Sequence, residues 1–339
     1  MTAERLFRQS LRISLVLTLI VIVLGAWVRL SDAGLGCPDW PGCYGRLLAP
    51  TQAPHIERAN EVFPERPVEV AKAWKEMVHR YAAGMLGLLV LFMAVLAWRG
   101  RRRPGQPVVL PFVLLGVVIF QAALGMWTVT LQLKPAIVTA HLLGGFTTLA
   151  LLWWMVLSTR RAGPPEGAAP RAAGPLVLVA LAVLVVQITL GGWVSTNYAA
   201  LACPDFPKCQ MQWWPENTDF SEGFVLWRGT GVDYEFGVLD GPARTAIHLT
   251  HRIGALTTLL VLGGLGLWLL ARARGAVRAV AGAVLVLLVA QLSLGISNIV
   301  FYLPLPVAVA HNAGAALLLL SVLALIYVLR SPRVRTAAS

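Results

Sequence analysis

The sequence predicts an all-α polytopic membrane protein, with eight transmembrane helices in two tandem four-helix bundles and both termini in the cytoplasm. Three observations predict it. The 339 residues are 57% hydrophobic and only 13% charged, with mean hydropathy +0.71, whereas soluble domains carry about 25% charged residues. Apolar runs long enough to cross ~30 Å of hydrocarbon recur along the chain. The motifs of the first half return, in order, in the second.

The spans fall at 12–30, 74–98, 107–130, 135–158, 175–196, 244–270, 277–300 and 305–329. Helices are the expected form, because lipid offers no partner to a free backbone group. The first span follows the basic start MTAERLFRQSLR. Its apolar core is too long for a signal peptide and lacks a small-x-small cleavage site, so it reads as a retained helix. Arginines collect in alternate connections: Arg5, Arg8 and Arg12; Arg99, Arg101, Arg102 and Arg103; Arg160, Arg161 and Arg171; Arg272, Arg274 and Arg278; Arg330, Arg333 and Arg335. This is the positive-inside pattern. It explains the net charge of +12 as a topology signal rather than a nucleic-acid surface, and it turns 31–73, 131–134, 197–243 and 301–304 outward. The start lacks an Arg/Ser-rich transit peptide, so the expected location is a bacterial plasma membrane rather than an organelle.

All four cysteines, Cys37, Cys43, Cys203 and Cys209, lie in the two long outer loops. That segregation fits disulfides in an oxidising space such as the periplasm. The spacing within Cys37–Cys43 and Cys203–Cys209 can close a loop disulfide. Structural staples and a thiol relay in contact with substrate both stay open.

GAWVRLSDAGLGCPDWPGC (25–43) reappears as GGWVSTNYAALACPDFPKC (191–209), at an offset of 166. His79 corresponds to His251 at 172, and His141 to His311 at 170. The chain therefore divides into an N-terminal half, 1–160, a cytoplasmic linker, 161–174, and a C-terminal half, 175–339. Four helices per half give both halves the same orientation, as in parallel repeats. The odd spans carry LGAW, QAALGMW, QITLGGW and QLSLGIS. Gly125, Gly191 and Gly295 read as close-packing positions, with room for a flat ligand as the alternative. Gln121, Gln187 and Gln291 read as hydrogen-bonding between helices.

Five of the six histidines lie at the outer ends of the even spans: His79, His141, His248, His251 and His311. His55, in the first outer loop, reads as ordinary surface. Polar groups in a span are expensive and usually functional. Imidazole is a good ligand for iron, and two imidazoles facing each other across a four-helix bundle make a bis-histidine haem site. Tetrahedral zinc fits poorly, because no further ligand lies at matching depth. Arg80 and Arg252 follow His79 and His251 and suit haem propionates, or else snorkel to the interface. Glu76 shares a helix face with His79, one turn away. The position 172 residues further on is His248, not an acid. An acid beside one haem suits chemistry, and its absence beside the other suits electron transfer. The alternative for Glu76 is an interfacial acid paired with Lys72 or Lys75.

Together these residues resemble the haem A synthase family: E-x-x-H-R on the second span, H-R on the sixth, single histidines on the fourth and eighth, and the loops CPDWPGC and CPDFPKC. The resemblance covers nearly the whole chain. It implies oxidation of a methyl group of haem O to a formyl group, giving haem A for terminal oxidases. By position, His251 and His311 would ligate a cofactor haem b in the C-terminal half. His79 and His141 would surround substrate haem O in the N-terminal half, and Glu76 would be the catalytic acid. A haem O synthase is the implied supplier, and an electron-transfer partner is required; homo-oligomerisation stays open. Three rival readings remain at this stage: a dihaem b-type cytochrome oxidising quinol, a membrane thiol–disulfide oxidoreductase, which the lack of a Cys-x-x-Cys pair disfavours, and a transporter, which would need a central broken helix with polar lining that the sequence does not offer.

Overall fold

The computed structural model describes residues 3–159, 165–229 and 231–330. Arg160, Arg161, Arg333 and Arg335 of the basic clusters, and linker residues 161–164, lie outside the described residues. The described chain is mostly helical: α1 (Ala3–Leu30), α2 (Ala53–Val62), α3 (Val70–Arg99), α4 (Val109–Thr130), α5 (Pro135–Ser158), α6 (Ala173–Thr196), α7 (Phe220–Gly223), α8 (Gly241–Arg272), α9 (Gly275–Val300) and α10 (Leu305–Val328). Eight of these, all but α2 and α7, are long and apolar enough to cross a membrane.

The spans predicted from hydropathy match these eight helices, with ends displaced by a few residues for local reasons. α1 begins at Ala3 rather than 12 because its arginine-bearing start is also helical, with Arg8 pairing to Glu4 one turn away at 3.1 Å. α8 begins at Gly241 because Asp240 caps it: its Oδ1 accepts from Ala243 N at 3.0 Å, and Pro242 sits in the first turn. α2 and α7 were not predicted. They lie within the outer loops and are too short and polar to register in a hydropathy window.

α1 packs on α3 and α5, and α4 packs on the same two helices; α6 packs on α8 and α10, and α9 packs on those two. Two rings of four result, touching along α1/α10, α5/α6 and α5/α10. Leucine, valine and alanine fill their interiors, with one cluster among α5, α6, α8, α9 and α10 and another among α1, α3, α4 and α5. Polar bonds cross between the rings at both depths. Arg29 donates to Ser195 O at 2.5 Å and stacks over Tyr198, while Trp153 Nε1 donates to Leu320 O at 2.9 Å.

The two long loops meet over one end of the rings. Arg66, from the first, pairs with Asp233 and Glu235 of the second. Lys134, in the short turn between α4 and α5, is buried beneath the second loop, donating to Gly229 O at 2.9 Å under the Trp227 ring. At the opposite end, Gly167 and Ala168 bridge to Gly275 and Arg274. Gly275 adopts φ +59 there, and a Cβ would stand 2.7 Å from Glu166 O.

Candidate functional site

Each of four neighbouring helix pairs repeats one contact. A histidine on the second helix leans its ring edge on a glycine of the first. A Cβ added at Gly25, Gly125, Gly191 or Gly295 would stand 3.0, 3.4, 3.3 or 3.1 Å from Cε1 of His79, His141, His251 or His311. The glycines expected to give close packing or room for a flat ligand thus make room for the imidazoles themselves. His79 lies within electrostatic range of His141, and His251 of His311. Each ring of helices therefore contains one histidine pair. As whole residues these four histidines are partly buried, whereas His248 is buried.

These histidines fit a haem iron. Nδ1 of His79, His141 and His311 is buried without a hydrogen-bond partner. Such orphaned groups are rare in a finished core, and imidazole is a good ligand for iron. His55 sits on α2, half-exposed, away from these pairs.

Glu76 is buried, at 4% exposure. Its Oε2 accepts from Cys37 N at 2.8 Å, and its Oε1 pairs with Arg80 at 2.5 Å. The alternative of an interfacial acid bound to lysine is thereby overturned. Lys72 pairs with Glu69 at 2.8 Å, and Lys75 lies over the Trp27 ring. The i to i+4 spacing brings Arg80 to Glu76 on the same helix face. In the second ring His248 takes the corresponding place, its Nδ1–H donating to Ala199 O at 2.9 Å. The loops differ to match. A Cβ at Gly36 would stand 2.6 Å from the Lys72 backbone, so only glycine lets the first loop press on α3 and present Cys37 N to the carboxylate. The second loop has Ala202 at the equivalent position.

The two arginines do not snorkel. Arg80 donates to Asp39 O at 2.9 Å and also to Gly42 O. Arg252 donates to Lys208 O at 2.7 Å and to Cys203 O and Asp205 O at 2.8 Å. Each guanidinium thus plugs a disulfide loop, Cys37–Cys43 or Cys203–Cys209, both of which are bonded. Each loop is also tied by its aspartate. Asp39 accepts from Tyr44 N and Gly45 N at 2.6 and 2.7 Å, and Asp205 from Gln210 N and Met211 N at 2.6 and 2.9 Å. Burial opposes ionisation of Asp205, but the Met211 and Gln210 N–H groups outweigh it and hold its carboxyl below the usual range. In the first loop, burial pushes the Tyr44 phenol up to about 12, so it stays a neutral donor to Pro67 O. The aspartates and the plugging role of the arginines were missed by sequence reasoning. The signal was the aspartate two residues after the first cysteine in both loops.

The three glutamines sit one turn before Gly125, Gly191 and Gly295. Gln121 Nε2 donates to His141 O at 2.8 Å, and Gln187 Nε2 donates to His251 O at 3.1 Å. Gln291 Nε2 lies 3.4 Å from His311 Nε2. They bond between helices as expected, and their partners are the histidines.

Fold and site define a helical protein with eight candidate membrane spans and a histidine pair in each of two helix rings. The family model described as COX15-CtaA, cytochrome oxidase assembly protein, matches residues 8–323. A heme A synthase of Shewanella oneidensis is 48% identical over 322 residues, covering 94% of this chain and 95% of that one. One from Rhizorhabdus wittichii is 28% identical, covering 91% and 89%. Heme A synthase COX15 of Arabidopsis thaliana is 29% identical, covering 92% and 72%. This chain belongs to the COX15-CtaA cytochrome oxidase assembly family.

Proposed function

We propose that this protein is a heme A synthase, a membrane oxidoreductase that converts one methyl group of haem O to a formyl group. The relatives' shared name supports the reaction class. The observation that carries the division of labour is the exchange of Glu76 for His248 on an otherwise repeated histidine frame. In this reading residues 1–160 form the half that handles substrate, 161–174 the linker, and 175–339 the half that holds the cofactor.

His251 and His311 would hold haem b, which supplies one-electron redox chemistry when bound. His79 and His141 would hold and orient substrate haem O. Arg80 and Arg252 place cationic charge beside the pockets, where it suits haem carboxylates. Nε of Arg252, buried without a partner, is a donor left for one. Oxidation of the substrate methyl, R–CH3 + H2O → R–CHO + 4 e⁻ + 4 H⁺, would run through alcohol and gem-diol, with the electrons passing to an external electron-transfer partner and loss of water from the gem-diol leaving the aldehyde. Glu76 is held in place one turn from His79 by Arg80 and Cys37 N. It would stabilise positive charge developing on the substrate carbon, or take the proton released there at Oε1 or Oε2.

The test is chromatography with mass spectrometry of haems extracted from a host that makes haem O but not haem A, with and without the gene. Haem A or its hydroxylated precursor should appear only with the gene. Glu76→Gln should retain haem and yield no product. Haem b on the purified protein with haem O untouched would replace this reading with a dihaem electron-transfer cytochrome.

A further inference from the structure

We infer that Gln121, Gln187 and Gln291 are positioning residues that clamp three of the four histidine-bearing helices. His79, whose helix pair lacks the clamp, is then the histidine left able to yield. This rests on the reading of the four histidines as haem ligands.

Each clamp has two parts. The amide nitrogen of the glutamine reaches a histidine across the helix pair, at its backbone carbonyl for His141, at both its backbone carbonyl and its ring Nδ1 for His251, and at its ring for His311. The amide oxygen is thrust against the glycine three residues beyond that histidine. It lies only 2.2 Å from where a Cβ would stand at Gly144, 2.2 Å at Gly254 and 2.3 Å at Gly314. No side chain larger than hydrogen fits beside the glutamine. All three amide oxygens are buried without a hydrogen-bond partner. A buried, unsatisfied oxygen is a cost to folding. Its recurrence at three equivalent places indicates that it is retained for position rather than stability.

The remaining pair, α1 with α3, keeps the glycine contact of Gly25 on His79 and a backbone tie from Val21 to the same histidine, but it has lost both side-chain parts of the clamp together. Val21 stands where the repeat has Gln187, and Ala82 where it has Gly254. The two changes are physically linked, since alanine is tolerated only once the glutamine is gone. They fall on the same helix pair as Glu76 and Gly36. These four departures from the repeat therefore gather around one histidine pair, the one assigned to the group that must enter and leave. The resident group is held between two clamped histidines, and the substrate between one clamped and one unclamped.

The test measures haem transfer from purified protein to apomyoglobin, with the transferred pigment identified as haem O or haem b by chromatography. A Glu76→Gln background keeps haem O unconverted. Haem O should leave faster than haem b. Gln187→Met, which keeps volume but removes the donor, should speed haem b loss about fivefold, the loss of one net hydrogen bond. Gly254→Ala should do the same by expelling the glutamine. The double variant should not add the two effects, because both break one clamp. Val21→Gln with Ala82→Gly should slow haem O loss by a similar factor and leave haem b unchanged. Folded glutamine and glycine variants with unaltered transfer rates would overturn the clamp while leaving the haem sites standing. Parent protein retaining no haem, or retaining it after all four histidines are replaced, would overturn the site reading and the clamp with it.

Discussion

Arg80 and Arg252 occupy matching positions but face different electrostatic situations. Arg80 plugs a loop and also neutralises a buried carboxylate, whereas Arg252 bonds only carbonyl groups among its described partners. Removing one member of a buried ion pair leaves a charge that neither water nor protein solvates, at a cost of about 3–5 kcal/mol. Removing hydrogen bonds from a charged donor to carbonyls costs about 1.5–3 kcal/mol. Arg80→Leu should therefore lower the thermal midpoint in detergent more than Arg252→Leu. Adding Glu76→Leu should recover most of the Arg80→Leu loss, because it removes the stranded charge. Equal midpoints for the two arginine variants, or no recovery in the pair, would show that Glu76 is not the main dependant of Arg80.

At the scale of elements, the disulfide loops are small rigid caps on the histidine-bearing helices. Each is closed by a disulfide, tied by an aspartate and plugged by the arginine next to a histidine. As staples, the disulfides restrict the unfolded loop, an effect of about 2 kcal/mol for so short a ring. Cys37→Ser with Cys43→Ser should lower stability by that order and leave haem A formation per folded molecule unchanged. Loss of turnover in protein of unchanged stability would instead make the cysteines redox partners. The loops also mark where sequence reasoning stopped. The eight long helices were legible because each must satisfy its backbone within lipid and so announces itself as an apolar run. The histidines were legible because a polar group in such a run is rare, and the Glu76/His248 exchange because a duplication supplies its own control. The short α2 and α7 gave no such signal. The burial of Glu76 depends on Gly36, forty residues upstream in the chain, letting a loop press on α3, a distant contact that no local pattern encodes. Nor does a glutamine reveal from sequence which glycine its oxygen will meet.

On the scale of the whole molecule, the two rings place the glycine seats of all four histidines, both disulfide loops and the Arg66 clasp at one end. Described arginines of the basic clusters, among them Arg101, Arg102, Arg171, Arg274 and Arg278, lie in or beside the connections at the other. An even number of spans returns the chain to its starting side, so one choice of orientation fixes every loop. Two independent physical pressures make the same choice. Lysine and arginine are retained on the cytoplasmic side during insertion, and disulfides persist only where the surroundings are oxidising. We therefore expect single cysteines introduced by Arg102→Cys and Arg171→Cys, both at exposed positions, to react in intact cells only with a membrane-permeant maleimide. Those introduced by Glu57→Cys and Glu216→Cys, also exposed, should react with an impermeant one. The reverse pattern would place both disulfide loops in a reducing compartment, where thiol exchange would open them. A mixed pattern, with one outer loop reacting from each side, would break the parallel relation of the two halves. It would also put the two histidine pairs at opposite faces of the membrane, too far apart for electrons to pass between them in the proposed reaction.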